Sequence, residues 1–203
     1  MLKQTTLILT TVAVLLAVSQ VVVSSPNLSD VSIQNIGYAG NGCPADSAAI
    51  VFAEDRKSVS VRFDEYIVEA GDSGQRTFAR KKCDIAFGLK IPEGISVMLV
   101  DADYRGFLNL PAGAKATFTR DYFFAGSKGE TQTSSWDGSL SQDFQIKDSL
   151  DIWSPCGADV ILRSKNASTV RTKTGKPASL SVNTSIKLQE EPVVRYNLAY
   201  RSC

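Results

Sequence analysis

The chain contains no histidine, and this absence removes several classes of enzyme from consideration. Histidine is the general base of Ser-His-Asp and Cys-His nucleophile systems and a common metal ligand. The sequence also lacks a G-x-x-x-x-G-K-[ST] loop and a strand followed by G-x-G-x-x-G, the usual supports of phosphate and dinucleotide binding. We therefore expect no cofactor. The catalytic chemistry that remains open is the kind that two carboxylates perform, such as glycoside hydrolysis.

An excess of charge of one sign is also absent. Lys and Arg number 22 against 21 Asp and Glu, and the two signs are interspersed along the chain. The short basic run of Arg80, Lys81 and Lys82 is interpreted as a solvated strand edge. Because a protein that binds nucleic acid needs a basic surface that follows the phosphates, no nucleic-acid partner is predicted.

A long apolar run occurs only at the N-terminus, after the single charge of Lys3. Its length and the small residues after it are typical of a secretory signal peptide. We expect residues 1–19 to be removed, and a cut as late as residue 25 is the alternative. The run is short for a bilayer span, so no membrane association is expected after cleavage. The expected product is one secreted or extracellular domain, residues 20–203, with a periplasm or cell envelope as the alternative location.

Cysteine is scarce, and all four cysteines follow the apolar run: Cys43, Cys83, Cys156 and Cys203. An even number of cysteines in an exported chain indicates disulfides. Three pairings are possible. The order along the chain favours Cys43 with Cys83 and Cys156 with Cys203, which would enclose two separate loops. The absence of a C-x-x-C pair argues against a zinc site.

The hydrophobic pattern repeats every two residues over much of the chain. Segments 83–91, 95–110, 116–124 and 179–188 place apolar side chains on alternate positions, as half-buried strands do. Gly- and Pro-containing turn signals separate the strand segments. Beyond the apolar run, no segment of about ten or more residues carries a helical stripe. The sequence therefore predicts an all-β, antiparallel β-sandwich with two disulfides, and a flattened β-barrel is the alternative.

A compact polar motif, DADYRG, lies within segment 95–110. In an extended strand, the even positions form an apolar face that includes Tyr104, whereas the odd positions change from apolar to Asp101, Asp103 and Arg105. The structural interpretation is an ion pair of Asp103 with Arg105, with the glycine that follows permitting a bulge or bend. The functional alternatives are a recognition patch or a weak calcium site at Asp101 and Asp103.

Two tryptophans lie in segments that look like loops, Trp136 in TSSWDGS and Trp153 before SPCG. Exposed indoles stack on sugar rings. Trp136 and Trp153, together with Tyr104 and Arg105, are therefore the candidate binding residues for a cell-surface glycan or a secreted protein. The structural alternative is that each indole packs over a loop or a disulfide. No catalytic residue and no metal are predicted, and a monomer is expected.

Two other functions remain open. A carboxylate-based polysaccharide hydrolase would need two acids facing one cleft, and the candidates are Asp101 or Asp103 with Asp64 or Asp143. A secreted inhibitor or effector would present a rigid exposed loop near a disulfide, and NGCPADS around Cys43 is the candidate. We favour a non-enzymatic binding or structural module at or outside the cell surface.

Several short motifs, taken in order, resemble a known family. GYAGNGCPADS, RKKC, DADYRGF, YFF with the following SWDG, and WSPCG before a terminal cysteine are similar to the family catalogued as domain of unknown function 4360. The similarity covers nearly all of the mature chain. Lys81-Lys82 stands where Lys-Asn is expected, and Ala45-Asp46 replaces a small turn after Cys-Pro. The resemblance implies a small secreted protein with two disulfides and no assigned activity.

Overall fold

The computed structural model describes residues 28–71, 76–173, 175–182 and 194–203. The predicted signal peptide lies outside these residues. Within them, no helix is long and apolar enough to cross a membrane. A short 3-10 turn, Leu28–Asp30, is followed by strands β1 Ser32–Ala39, β2 Ala48–Phe52, β3 Ser58–Phe63, β4 Ile67–Ala70, β5 Phe78–Lys90, β6 Ile95–Leu110, β7 Lys115–Phe124, β8 Glu130–Asp137, β9 Leu140–Trp153, β10 Val160–Arg171, β11 Ala178–Ser181 and β12 Val194–Ser202.

These strands form two antiparallel sheets that pack face to face. Sheet A has the order β1-β5-β10-β7-β8, and sheet B has the order β2-β3-β12-β6-β11-β4, with β9 also paired to β6. The predicted antiparallel sandwich is confirmed, and over the described residues the sheets are not closed into a barrel. Alternate side chains of each strand enter one shared hydrophobic core, because successive side chains of a strand point to opposite faces.

The longest strand, β6, changes its buried face part-way along. Up to Leu99 the odd positions are buried, whereas beyond Asp101 the most buried positions are even. The change occurs at an irregularity between these two residues, where the pairing of β6 with both β9 and β12 shifts register. One extra residue moves later side chains to the opposite face. The predicted even-numbered core face is therefore correct from Ala102 onward and wrong before the irregularity, where Met98 is only half-buried.

Gly106 is needed for close packing rather than for the predicted bulge or bend. A Cβ atom at this position would lie 2.1 Å from the carbonyl oxygen of Ser181 and 2.5 Å from the ring of Phe144. Strands β11 and β9 therefore approach β6 at a distance that only glycine allows.

Substitution Gly106→Ala is expected to lower the free energy of unfolding by about 1–3 kcal/mol, because the added methyl group overpacks a filled interior. The control is Gly37→Ala, where the new Cβ would meet nothing within 4 Å. That change should be neutral or stabilising by a few tenths to about 1 kcal/mol. Denaturant unfolding of both variants measures the difference, and equal stabilities would contradict this explanation of Gly106.

The two predicted disulfides are both formed. Cys43 and Cys83 join the β1–β2 loop to β5 with a Cα–Cα distance of 5.4 Å, and both side chains are buried. Cys156 and Cys203 join the β9–β10 loop to the residue after β12 with a Cα–Cα distance of 6.0 Å. Loops of this length correspond to roughly 4 kcal/mol per disulfide in the loop-closure model. The first disulfide therefore ties the connection between the two sheets to β5, and the second fixes the C-terminal end of sheet B.

The segments around the two tryptophans are strands, so the prediction of loops there was wrong. Strand β8 consists of polar residues apart from Trp136, and it therefore lacks the apolar alternation that indicates a strand. Strand β9 does alternate, but Gln142 and Asp148 interrupt its inward row. β8 can be polar because it is an edge strand: among the described residues, no strand pairs with its outer hydrogen-bonding side.

Candidate ligand-binding face

Tyr104 lies inside the sandwich and is fully buried. Its hydroxyl lies 3.1–3.4 Å from polar side-chain atoms of Ser164, Asn166, Tyr122 and Tyr196. These neighbours come from both sheets, so the hydroxyl belongs to a network that crosses the core. A ligand at the surface cannot reach Tyr104, and we remove it from the candidate binding residues.

The centre of this network is a buried ion pair that sequence reasoning missed. Nε and Nη2 of Arg120, on β7, donate to the two carboxylate oxygens of Asp148, on β9, at 2.6 and 2.9 Å. The two side chains are 2% and 6% exposed. The guanidinium also donates to the Phe118 carbonyl and to the Ser134 hydroxyl, and the Tyr122 hydroxyl donates to Asp148. Because its partners are complete, this buried pair joins the two sheets without an unpaired charge.

Electrostatics inside the core favour a charged arginine and neutral phenols. Burial lowers the pKa of Arg120, but the hydrogen bonds and charge of Asp148 outweigh it, so the pKa is raised overall. Burial raises the pKa of each neighbouring tyrosine, which are Tyr66, Tyr104, Tyr122 and Tyr196. These groups have no route to a ligand, and we assign them to the structure of the core.

The charged residues of DADYRG lie on the outer face of sheet B. Asp101 accepts a hydrogen bond from Nδ2 of Asn197 at 2.5 Å and lies 3.5 Å from Nζ of Lys147. Asp103 and Arg105 are half-buried on the same face. The ion pair expected between Asp103 and Arg105 stays a prediction, and the observed partners of Asp101 come from the neighbouring strands β12 and β9.

The calcium and hydrolase hypotheses gain no support from the geometry. Among the described residues, no group of three or more His, Cys, Asp or Glu side chains could hold a metal ion. Asp143 lies opposite Phe107 in the register of β9 with β6, four residues along from Asp103, or about 13 Å. Asp64 follows β3, two strands away. Asp103 and Asp143 lie along one sheet face, whereas hydrolase acids face each other across roughly 5–10 Å.

Trp153 ends strand β9 at one end of sheet B. Its indole Nε1 donates to the Asp151 carboxylate at 2.9 Å. The guanidinium of Arg201 lies over the ring, with its carbon 3.8 Å from the ring centroid. The indole is half-buried, and the arginine covers one of its two faces.

Trp136 belongs to the other sheet. It lies on β8 opposite Ala116, whose side chain is buried, so its indole points to the inner side of sheet A. The ring packs against Phe144 of β9 with 5.2 Å between ring centroids. The two indoles therefore belong to different sheets, and the structure does not build one platform from them.

The loop NGCPADS is a turn held by several contacts. Cys43 and Ser47 are buried, whereas the residues between them are exposed. The Ser47 hydroxyl donates to the Pro44 carbonyl at 2.8 Å. Asn41 bonds to the backbone of β5, and its side chain accepts from the Lys82 N–H at 2.7 Å. The inhibitor hypothesis for this loop remains an untested prediction.

A shallow trough crosses the outer face of sheet A near its β1 edge. We define the trough by six of its lining residues: Gly37, Ala86, Gly88, Ile161, Arg163 and Lys165. Gly37 lies opposite Ala86, and Ala86 lies opposite Arg163. Small residues on β1 and β5 therefore form a floor, and the longer side chains of β10 form a wall.

A second depression continues from the trough along β5 and β10. It is lined by Arg80, Lys82, Asp84, Asp121 and Lys165, among others. Lys165 lies between Asp84 and Asp121 in register, on the central strand of the three. Its Nζ atom lies 5.2 Å from the centroid of the Phe123 ring. Charged groups of both signs therefore border this surface, with cations in excess.

Sequence reasoning missed this face, although β5 carried a signal for it. The alternating apolar residues of segment 83–91 predicted the strand, and they face the core. The side chains between them face outward, and they are Asp84, Ala86 and Gly88. Small residues at outward positions are unusual, because solvent-facing strand positions favour larger polar or β-branched side chains. The run Arg80–Lys82 was interpreted as a solvated edge; Arg80 and Lys82 are exposed on this face of β5, and Asn41 pairs the backbone beside them.

Comparison with known proteins identifies relatives by sequence. An uncharacterized secreted protein of Arthroderma benhamiae is 32% identical over 173 residues, which are 81% of this chain and 71% of that protein. Among solved structures, TmCBM61 in complex with β-1,4-galactotriose is 10% identical, with coverage of 84% of this chain and 90% of that chain and a TM-score of 0.32. The enzymatically active domain of tailspike protein 4 of bacteriophage CBA120 is 12% identical, with coverage of 85% and 20% and a TM-score of 0.28. At TM-scores below 0.5, neither structural similarity bears on function.

The secreted location and the family follow from the sequence relatives. The fungal relative is a secreted protein, and the chain has two disulfides, as extracellular proteins do. Residues 29–203 match the sequence profile of a family described as a domain of unknown function. The predicted resemblance is therefore confirmed, and the chain belongs to the DUF4360 family.

Proposed function

We propose that this protein is a secreted, non-enzymatic binding module that holds a glycan on the outer face of sheet A. The observation that carries the proposal is the trough, in which a floor of small residues adjoins the guanidinium of Arg163, which forms no ion pair with any described residue. Extracellular location and the sandwich fold are compatible with such a module, but neither selects the ligand.

The floor of the trough includes a glycine that the fold does not need. A Cβ at Gly37 would meet nothing within 4 Å, and Gly37 is not among the glycines with positive φ. Glycine inside a strand weakens the strand and often marks a place where a ligand approaches the backbone closely. The open space above Gly37 is therefore accounted for by a ligand that packs against the sheet.

The walls of the trough provide the groups that a sugar ring requires. Ile161 is 40% exposed and presents an apolar surface for the C–H face of a ring. Arg163 and Lys165 donate hydrogen bonds, and Asp84 accepts them, so hydroxyl groups of a glycan would find both kinds of partner. Among the described residues, no ion pair engages Arg163 or Lys165.

A competing glycan site is the one that the sequence favoured, at Arg105, Trp136 and Trp153. It remains a proposal. A ligand at this site would have to contact residues of both sheets, or it would contact Trp153 alone, and Arg201 covers one face of the Trp153 indole. We rank it below the trough for this reason.

The test is a glycan and polysaccharide binding screen on the oxidised, mature protein, with three single-site variants. Gly37→Val fills the trough at a position where a β-branched residue suits the strand, so it should fold normally and weaken binding at least ~10-fold. Ser60→Val, on the outer face of β3 in sheet B, is the matched control and should bind as the wild type does. Trp153→Ala should also leave binding unchanged.

Two outcomes would overturn the proposal. Normal binding by folded Gly37→Val, combined with loss in Trp153→Ala, would move the site to sheet B. Absence of binding to every glycan by the folded wild type would remove the glycan and turn the search to protein ligands.

A further inference from the structure

A line of cations follows the outer face of sheet A. Four cations lie in successive outward-facing rows of sheet A, one in each row: Arg163, Lys165, Lys82 and Arg80. The rows follow from the register, since Arg163 and Lys165 alternate along β10, while Lys82 and Arg80 lie opposite the next two outward positions of that strand. Outward positions on a strand are about 7 Å apart, so the four charges extend over roughly 20 Å. The balanced composition of the whole chain conceals this line.

These four cations are available to a ligand. Among the described residues, no carboxylate forms an ion pair with any of them. Arg80 and Lys82 use their backbone atoms to bond Asn41, and their side chains are exposed. By contrast Lys115, in the last row, is bound to Asp137 at 2.8 Å. The same row also holds Arg171, whose guanidinium lies over the Phe78 ring, so it keeps one cation beyond this pair. Lys165 has carboxylates on both sides, Asp84 and Asp121, and the other three rows of the line have none.

Hydroxyl groups run beside the line of cations. The outward positions of β7 and β8 carry a ladder of threonine and serine, with Thr117 opposite Ser135 and Thr119 opposite Thr133. Thr131 donates to Asp121 at 2.6 Å. A polymer that carries both hydroxyl groups and regularly spaced negative charges would match both halves of this surface.

We infer that the ligand is an acidic polysaccharide, bound lengthwise along β5 and β10 by Arg163, Lys165, Lys82 and Arg80. This inference rests on the proposed glycan function and specifies the class of glycan. The shared chemistry is a repeated anion, either the carboxylate of a uronic acid or a sulfate ester. Two aromatic rings on the outer face of sheet A lie near opposite ends of the line, Phe123 in the row of Arg163 and Phe78 in the row beyond Arg80, and each has a cation over it. Single-stranded nucleic acid is held by stacking of successive bases on aromatic side chains, which two separated and covered rings do not offer, so a polysaccharide is the better match.

The experiment measures affinity for four polysaccharides, which are polygalacturonate, its methyl-esterified form, dextran sulfate and dextran, and for single-stranded DNA. The wild type should bind an acidic polymer at least ~10-fold more tightly than its neutral counterpart. Binding should weaken between about 50 and 200 mM salt, because exposed charges are screened. Preference for polygalacturonate assigns a carboxylate ligand, and preference for dextran sulfate assigns a sulfate.

Charge variants locate the site. Lys82→Gln with Lys165→Gln should reduce affinity for the preferred acidic polymer at least ~10-fold. The control removes two cations from outside sheet A, Lys57→Gln with Arg195→Gln, and should change affinity less than about twofold. Asp84→Asn removes a negative charge next to Lys165 and should strengthen binding, which guards against loss through misfolding.

The outcomes separate this inference from the proposed function. Equal, salt-independent binding to neutral and acidic polymers would overturn the acidic ligand and leave the glycan module standing. Equal effects of the two double variants would overturn the line of cations as the site. Tighter binding to single-stranded DNA than to any polysaccharide would overturn the polymer class, and absence of binding to every glycan would overturn both proposals.

Discussion

Replacement of Asp148 by alanine is expected to lower the free energy of unfolding by about 3–5 kcal/mol, a large part of the roughly 5–15 kcal/mol typical of a domain. The change leaves the Arg120 guanidinium buried without its bidentate partner. It also removes the acceptor of the Tyr122 hydroxyl. Denaturant unfolding at neutral pH, with circular dichroism to confirm the fold, measures the loss.

An exposed ion pair is the control for this prediction. Lys115 and Asp137 are 2.8 Å apart, with side chains 70% and 72% exposed. Asp137→Ala should lower the free energy of unfolding far less than Asp148→Ala does, because solvent screens the exposed pair. The double variant Arg120→Met with Asp148→Leu should recover much of the loss, since two apolar groups leave no charge to satisfy. A cost for Asp148→Ala no larger than that for Asp137→Ala would show that the pair does not stabilise the fold.

Stability is expected to fall steeply above about pH 10, with the buried tyrosines as the cause. Burial raises the pKa of Tyr66, Tyr104, Tyr122 and Tyr196 in the folded protein. In the unfolded chain the same phenols ionise near pH 10. Between the unfolded and the folded pKa, the folded state holds more protons, so raising the pH favours unfolding. Each tyrosine contributes about 1.4 kcal/mol per pH unit, and four contribute roughly 5.

Denaturant unfolding at several values between about pH 8 and pH 11 tests this slope. Below the pKa that tyrosine has in the unfolded chain, these residues should not make the free energy of unfolding depend on pH. Above that pKa, the free energy of unfolding should decline. Tyr196→Phe is expected to be less stable than the wild type at neutral pH, because the wild-type Tyr196 hydroxyl donates a hydrogen bond to Ser164. Its free energy of unfolding should fall less steeply with rising pH, because unfolding of the variant releases one proton fewer. The chain has six tyrosines, so tyrosinate absorbance in the folded protein near pH 10 that exceeds the contribution of Tyr38 and Tyr200 would contradict the assignment of these four phenols to a closed interior.

The sequence predicted the core-facing side of β5 but not its outward-facing side, where part of the candidate site lies. The inward row of β5 was recognised because apolar residues alternate there. Its outward row, with Asp84 and Ala86, was passed over because polar and small residues give no periodic signal. The compact polar motif DADYRG suggested a binding site, but Tyr104 points into the core, and Asp101 contacts Asn197 on β12 and Lys147 on β9.

The ion pair of Arg120 with Asp148 had a sequence signal of a different kind. Arg120 breaks an apolar row in β7, and Asp148 breaks one in β9. A buried charge must be paired. Two opposite charges at inward positions of two strands therefore predict an ion pair between them. Their separation along the chain, 28 residues, gives no reason to connect them until the two strands are known to face each other across the sandwich.

The sequence by itself determined the secreted class and the strand-rich architecture, since these depend on composition and period-two patterning. It favoured one of three disulfide pairings, and the structure shows that pairing. Tertiary structure alone decided the register. An irregularity after Leu99 reverses the buried face of β6, and the alignment of β5 with β10 turns scattered residues into the line of Arg163, Lys165, Lys82 and Arg80. The physical reason is that a sheet brings side chains together through pairings between distant strands, and a shift of one residue moves every side chain to the opposite face.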